Sequence, residues 1–249
     1  MAILWQKNIK GVQYEVRTAG RSRRLYTDGV FHSQYHPARG WAGGVWDLLM
    51  LPAFFYPPRQ IRRVLVLGVG GGAVIQQLHR FVKPELIIGV ELNPVHLQVA
   101  RRFFGIKKRI AQLVHADALA WLKEYEGPPF DLIVEDLFTE RNGEPVRVVQ
   151  AGGRWLDTLS RNLTREGMLV MNFIAAHDLR NSACCRQARV AKKFKAAFQL
   201  SLPVYENAVG AFLKTASTSR ILRKHLATTE GLPVNEIDFR IRRLTFCRE

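Results

Sequence analysis

Four acidic residues stand where short apolar runs end. Glu91 closes Leu-Ile-Ile-Gly-Val-Glu at 86–91, Asp117 follows Gln-Leu-Val-His-Ala at 112–116, and Glu135 and Asp136 close Asp-Leu-Ile-Val-Glu-Asp at 131–136. Carboxylates in such places accept hydrogen bonds from hydroxyl and amino groups, and one held beside an amine can take its proton before the nitrogen attacks. Upstream, Val64-Leu-Val-Leu runs into Gly68-Val-Gly70-Gly71-Gly72-Ala73, and Ile75 to Val82 behind it has the apolar spacing of a helix. Glycines permit positive φ and let a ligand touch the main chain, while a helix start offers unpaired N–H groups. A nucleotide-like ligand matches that chemistry.

The elements that must position these residues alternate strand and helix from Arg62 onward, which predicts a mostly parallel sheet covered on both faces. Strands are expected at 64–68, 86–91, 110–115, 131–135, 168–173, 207–214 and 239–246. Helices are expected near 73–82, 94–104, 117–125 and 152–163, with a long basic helix at about 184–199. Open α/β sheets bind ligands beyond the carboxyl ends of their strands, where all four acids fall. Residues 1–57 read differently: β-type segments at 12–17, 24–27 and 30–34, with an Asp28-Gly29 turn, predict a small hairpin domain. A helical pattern through Trp46, Leu49 and Met50 ends at Pro57-Pro58, where the main domain, 58–249, is expected to begin.

Each motif has a plain reading beside the functional one. Gly68, Gly70 and Ala73 fit G-x-G-x-x-G/A, and with Glu91 they suit either a NAD-binding domain or one that binds S-adenosylmethionine. Asp117 can cap the helix that follows it, a role compatible with accepting from an adenine amino group. Glu135 and Asp136 point to opposite sides of a continuing strand, so one of them faces the crevice. Glu140 and Glu144 extend an acidic island that suits a cationic substrate, or is simply a solvated loop.

Formal charge is +16, from 37 Lys and Arg against 21 Asp and Glu, a field that attracts polyanions. Nucleic acid is therefore a candidate partner from charge alone, since no RNA- or DNA-binding motif accompanies it. Cys184, Cys185 and Cys247 make no disulfide framework or zinc spacing and are expected to be buried thiols, with no metal. Leu48 to Tyr56 is too short and too interrupted to span a bilayer, and the first residues lack a signal-peptide layout. A cytoplasmic protein with no membrane partner is expected, and a homodimer is compatible with the composition.

Taken together these residues resemble the spermidine synthase (polyamine aminopropyltransferase) family, a branch of the class I methyltransferase fold. The resemblance rests on Leu25-Tyr-Thr-Asp28-Gly29-Val30, the glycine loop, Gly89-Val-Glu91-Leu-Asn-Pro94, Ala116-Asp117 and Asp131-Leu-Ile-Val-Glu-Asp136. It implies a Rossmann-like, mostly parallel seven-stranded sheet with a small N-terminal β-hairpin domain. It also implies S-adenosylmethionine or its decarboxylated form as group donor and a small-molecule amine as acceptor. Glu91 would hold the ribose, Asp117 the adenine, and Asp136 would deprotonate the amine. Gly68, Gly70, Gly71, Gly72, Glu91, Asp117 and Ala118 are thus the candidate donor-binding residues. Asp136, with Glu135 as substitute, is the candidate catalytic carboxylate. The sequence departs from the family at Gly71, where synthases carry an Asp that would hold the ammonium of the decarboxylated donor. It departs again at Thr139-Glu140, where the family's second acid is missing, and at Trp46 and Asp47, which only approximate its upstream tyrosine and acids. A non-catalytic or RNA-directed binding protein and a NAD-dependent oxidoreductase are the alternative readings.

Overall fold

The computed structural model describes residues 1–141 and 143–247. Aliphatic runs bounded by glycine and charge form the strands of a large sheet. In chain order these are β5 (Arg63–Leu67), β6 (Leu86–Glu91), β7 (Gln112–His115), β8 (Phe130–Glu135), β11 (Leu163–Phe173), β12 (Ala196–Ser201), β13 (Ala208–Leu213) and β14 (Arg240–Arg243). Their spatial order is β14-β12-β13-β11-β8-β5-β6-β7. From β11 to β7 every pairing is parallel, and β13 runs antiparallel between β11 and β12. Val64, Leu65, Leu67, Leu132, Ile133, Val134 and Val170 are all fully buried. Burial on both faces explains why these strands read as continuous apolar runs instead of alternating ones.

Four further strands, β1 (Ile3–Ile9), β2 (Val12–Ala19), β3 (Ser22–Thr27) and β4 (Val30–Tyr35), form an antiparallel meander. Its β3–β4 turn holds Asp28 at φ 46° and Gly29 at φ 80°, both positive, as a type I′ hairpin turn requires. The remaining strands, β9 (Phe138–Arg141) and β10 (Glu144–Arg147), make a separate hairpin.

The helices are α1 (Val45–Met50), α2 (Ala73–Gln77), α3 (Pro94–Arg102), α4 (Ala118–Glu124), α5 (Gly153–Arg161), α6 (Ala176–Asn181), α7 (Ala183–Arg186), α8 (Ala188–Ala191) and α9 (Ser219–Ala227). Leu48, Leu49 and Met50 of α1 are fully buried in one core with Val64, Val66, Leu132 and Val170. In packing terms this stretch belongs to the large sheet, and the meander ends at Tyr35.

Three expectations are corrected. The long basic helix at 184–199 is instead the short helices α7 and α8 followed by β12. Gln187 between them is extended (φ −110°, ψ 111°), and Ala196, Ala197, Phe198 and Leu200 are buried against β13. Alanine and lysine favour helix intrinsically, but the vacant edge of β13 decides, so the sheet has eight strands and not seven. Cys184 and Cys185 are buried as expected, whereas Cys247 is exposed. Among the described residues, no helix is long and apolar enough to cross a membrane.

Candidate functional site

Strands β5, β6, β7 and β8 end side by side, so their carboxyl termini and the loops that follow share one edge. A cavity of about 790 Å³ opens there, roofed by the β3–β4 turn on one side and the β9–β10 hairpin on the other. That volume lies in the range of small-molecule sites.

The glycine loop forms its floor. Gly68 and Gly70 have φ of 84° and 53°, and a Cβ on Gly70 would stand 2.9 Å from the His32 carbonyl oxygen. One on Gly68 would collide with the Asp136 carbonyl oxygen. Only glycine lets the loop lie this close to both neighbours. Gly71 and Gly72 do not line the cavity. A Cβ on Gly71 would be 2.6 Å from the Phe104 ring, and one on Gly72 would be 2.8 Å from Ile106, so these two serve packing behind the loop.

Glu91 is buried at the end of β6. Its Oε2 accepts from the Val69 and Gly70 N–H groups at 2.9 Å each, and Oε1 accepts from the Asn93 N–H at 2.9 Å. A carboxylate has about four acceptor positions, so three backbone donors leave room for a ligand hydroxyl. Asp117 caps α4, accepting from the Ala120 N–H through Oδ1 at 2.8 Å, and is otherwise exposed to the cavity beside Ala118. Capping and ligand contact are therefore compatible, as the spacing suggests.

Glu135 and Asp136 diverge as strand alternation demands. Asp136 lines the cavity, and Asn172 Nδ2 donates to its Oδ1 at 2.9 Å. Burial, with the charge of Glu91 nearby, pushes its carboxyl up to about 6 against the opposing Asn172 bond and Arg147 charge. Glu135 does not reach the cavity. It is fully buried and held by Arg147, whose Nη2 donates to both carboxylate oxygens at 3.0 and 2.7 Å. The Arg147 guanidinium also donates to the Asn172 carbonyl and lies between the Phe138 and Phe173 rings, 5.6 and 4.9 Å from their centroids. Glu135 as a substitute base is accordingly corrected: its lone pairs face an arginine, and its place is to anchor the β9–β10 hairpin. Asp47 is likewise structural. Buried at the start of α1, it accepts from the Gly44 N–H at 2.8 Å, from the Ala42 N–H and from the Gln77 side chain, while its neighbour Trp46 lines the cavity.

Four further carboxylates line the mouth: Asp28 from the β3–β4 turn, Glu140 and Glu144 from the hairpin, and Glu206. With Glu91, Asp117 and Asp136, seven of the chain's 21 carboxylates face one cavity, and no Lys or Arg among the described residues lines it. A cavity lined by one sign of charge concentrates ligands of the other sign, so this one favours cations although the protein as a whole is basic. Phe31, Trp46 and Tyr205 add aromatic walls.

Two histidines absent from the sequence expectations also line it. His96, on α3, exchanges a hydrogen bond with Thr27 Oγ1 at 2.9 Å and lies 3.8 Å from Glu91 Oε1. Its ring centroid is 5.0 Å from that of His32 on β4. Burial lowers both to a pKa of about 4, with the neighbouring His96 adding to the effect on His32. Their pairing joins residues 64 positions apart, so no local pattern marks it. The β9–β10 hairpin carries a local signal that the sequence expectations did not use, Asn142-Gly143 between two short β-prone runs.

No family model matches the chain. Over 144 residues it is 28% identical to polyamine aminopropyltransferase 2 of Caldanaerobacter subterraneus subsp. tengcongensis, covering 54% of this chain and 44% of that protein. Over 122 residues it is 28% identical to the human eEF1A lysine and N-terminal methyltransferase, covering 45% of this chain and 17% of that protein. The chain thus matches less than half the length of these relatives. The crystal structure of a probable spermidine synthase from Corynebacterium glutamicum superposes with a TM-score of 0.70 at 15% identity, covering 98% of this chain and 91% of that one. The fold is that of the spermidine synthases, a Rossmann-like class I methyltransferase fold preceded by a small antiparallel sheet.

Proposed function

We propose that the protein is a transferase that binds S-adenosylmethionine or its decarboxylated form and passes a methyl or aminopropyl group to an amine. The observation that carries this reading is the convergence of Glu91, Asp117 and Asp136 on one acid-lined cavity at the carboxyl edge of the sheet. The residues suit the donor. Glu91 has an acceptor position left for ribose hydroxyls, and Asp117, with Oδ1 on the Ala120 N–H, keeps Oδ2 for an adenine amino group. Gly68 and Gly70 keep the floor clear.

The donor supplies a carbon made electrophilic by the adjoining sulfonium and leaves as a neutral thioether. Asp136 supplies the rest. Its carboxylate orients the acceptor and takes the proton lost as the nitrogen–carbon bond forms. A carboxyl raised to about 6 is still ionised at neutral pH and is a better base than an ordinary aspartate. Asn172 fixes the orientation of Asp136, and the acids of the mouth attract the cationic acceptor.

The Phe104 ring behind Gly71 supports S-adenosylmethionine as donor. It fills the space that an aspartate there would need to reach the ammonium of the decarboxylated form. A small diamine or triamine is the acceptor that the acid-lined mouth supports best. An amine on a polypeptide is a second reading, favoured by Leu92 and Val148, which line the mouth yet remain 62% and 48% exposed. Incubation with methyl-labelled S-adenosylmethionine, or the propyl-labelled decarboxylated donor, and either a diamine or a lysine-bearing peptide tests the reading. Label in an amine product, lost in Asp136→Asn, supports it; no transfer from either donor to either acceptor refutes it.

A further inference from the structure

A cavity lined by seven carboxylates is a poor place for an anion. S-adenosylmethionine carries an α-carboxylate, whereas its decarboxylated form does not. If the adenine lies at Asp117 and the sugar at Glu91, the donor's tail continues over Gly68 and Gly70 towards β4. There the Val69 and Gly70 N–H groups are already taken by Glu91 Oε2. No lysine or arginine among the described residues lines the cavity, so the lining side chains that can become cationic are His32 and His96. His96 is committed to Thr27 on one nitrogen and lies beside Glu91 on the other. His32 is not: its Nε2 is buried with no hydrogen-bond partner, and its carbonyl oxygen abuts the loop at Gly70.

We propose that His32 recognises the α-carboxylate of the donor, taking up a proton as that carboxylate arrives and pairing with it over the glycine loop. The inference rests on the nucleoside placement proposed above and adds to it the group that separates the two donors. The charged and titratable groups facing His32 are His96 from α3, Glu91 from β6 and Glu140 from the β9–β10 hairpin. Burial and His96 hold the imidazole near 4, while the two glutamates pull the other way. At neutral pH it is therefore uncharged, and an incoming carboxylate, a third anion at close range, shifts the balance towards the imidazolium. Decarboxylated donor brings no such charge and leaves His32 neutral.

Titration calorimetry at pH 7, in two buffers of different ionisation enthalpy, counts the protons taken up with each donor. The expected result is uptake approaching one proton per S-adenosylmethionine and none with the decarboxylated form. His32→Gln should abolish the uptake and weaken S-adenosylmethionine at least tenfold, leaving decarboxylated donor within about twofold. Equal proton counts for the two donors, or equal losses in His32→Gln, would overturn the inference. Binding of the decarboxylated donor alone would overturn it as well, while leaving the transferase reading intact. Binding of neither donor would overturn the nucleoside placement and this inference together.

Discussion

The two ends of the cavity are built differently. At the donor end, Glu91 and Asp117 each sit on a strand-to-loop junction and are held by nearby main chain: Glu91 by the N–H groups of Val69, Gly70 and Asn93, Asp117 by that of Ala120. At the acceptor end, Asp28, Glu140, Glu144 and Glu206 come from three remote segments; Asp28 accepts from the Gln13 N–H at 2.7 Å and Glu140 from the Gly143 N–H, while Glu144 and Glu206 are exposed. Fixed carboxylates recognise a ligand of fixed shape, since their orientation is set before binding. Exposed ones that no main-chain group among the described residues orients, Glu144 and Glu206, act mainly through their field, which water and salt weaken. On the proposed reading, the donor end defines what reacts, and the acceptor end raises the local concentration of amines.

The sharpest test of that division falls on Asp136, where the two ends meet. Asp136→Asn should lower the transfer rate by about 10²–10⁴-fold, the usual worth of a positioned base, with donor affinity by calorimetry within about threefold. In the wild type, transfer should fall as pH drops through about 6, because burial raises this carboxyl and the protonated form cannot accept. A rate profile flat from pH 5 to 8 would remove Asp136 from the chemistry.

The next effect is on stability. Arg147→Met leaves Glu135 buried without its counter-charge, so denaturant unfolding should show a loss of about 3–5 kcal/mol. Replacing both, Glu135→Leu with Arg147→Met, should recover most of that loss and retain transfer. Transfer lost in a stable double variant would mean that Glu135 does more than anchor the hairpin.

Asp117→Ala should produce a smaller, twofold signature: a loss of about 1 kcal/mol in unfolding from the missing helix cap, and weaker donor binding with the acceptor KM unchanged. The smallest effect is expected at the mouth. Glu140→Gln with Glu144→Gln should raise the acceptor KM only about three- to tenfold at low salt, and less as salt rises, with donor affinity untouched. A change in donor affinity there would erase the distinction between the two ends.

The same division decides what the sequence made legible. Donor-end residues belong to consecutive strand–loop–helix units, so the pattern around Gly68, Glu91 and Asp117 places them within a few positions. Strand alternation at 135–136 even separates the buried acid from the one facing the cavity. The acceptor end was legible only as an excess of acids, because its geometry depends on how a meander, a hairpin and the Tyr205 loop meet in space. The His32–His96 pair, Asn172 beside Asp136 and the Arg147–Glu135 anchor are products of tertiary packing, and none has a local signal. The β12 segment misleads for the opposite reason: its local preference is helical, and the neighbouring β13 edge overrides it.

The most direct measurement is a crystal structure of the protein soaked with S-adenosylmethionine. The expected result is the ribose hydroxyls within hydrogen-bond distance of Glu91, the adenine amino group at Asp117, and the sulfonium beside Asp136. A nucleoside bound at another face, or bound in this cavity with Glu91 and Asp117 both out of reach, would contradict it.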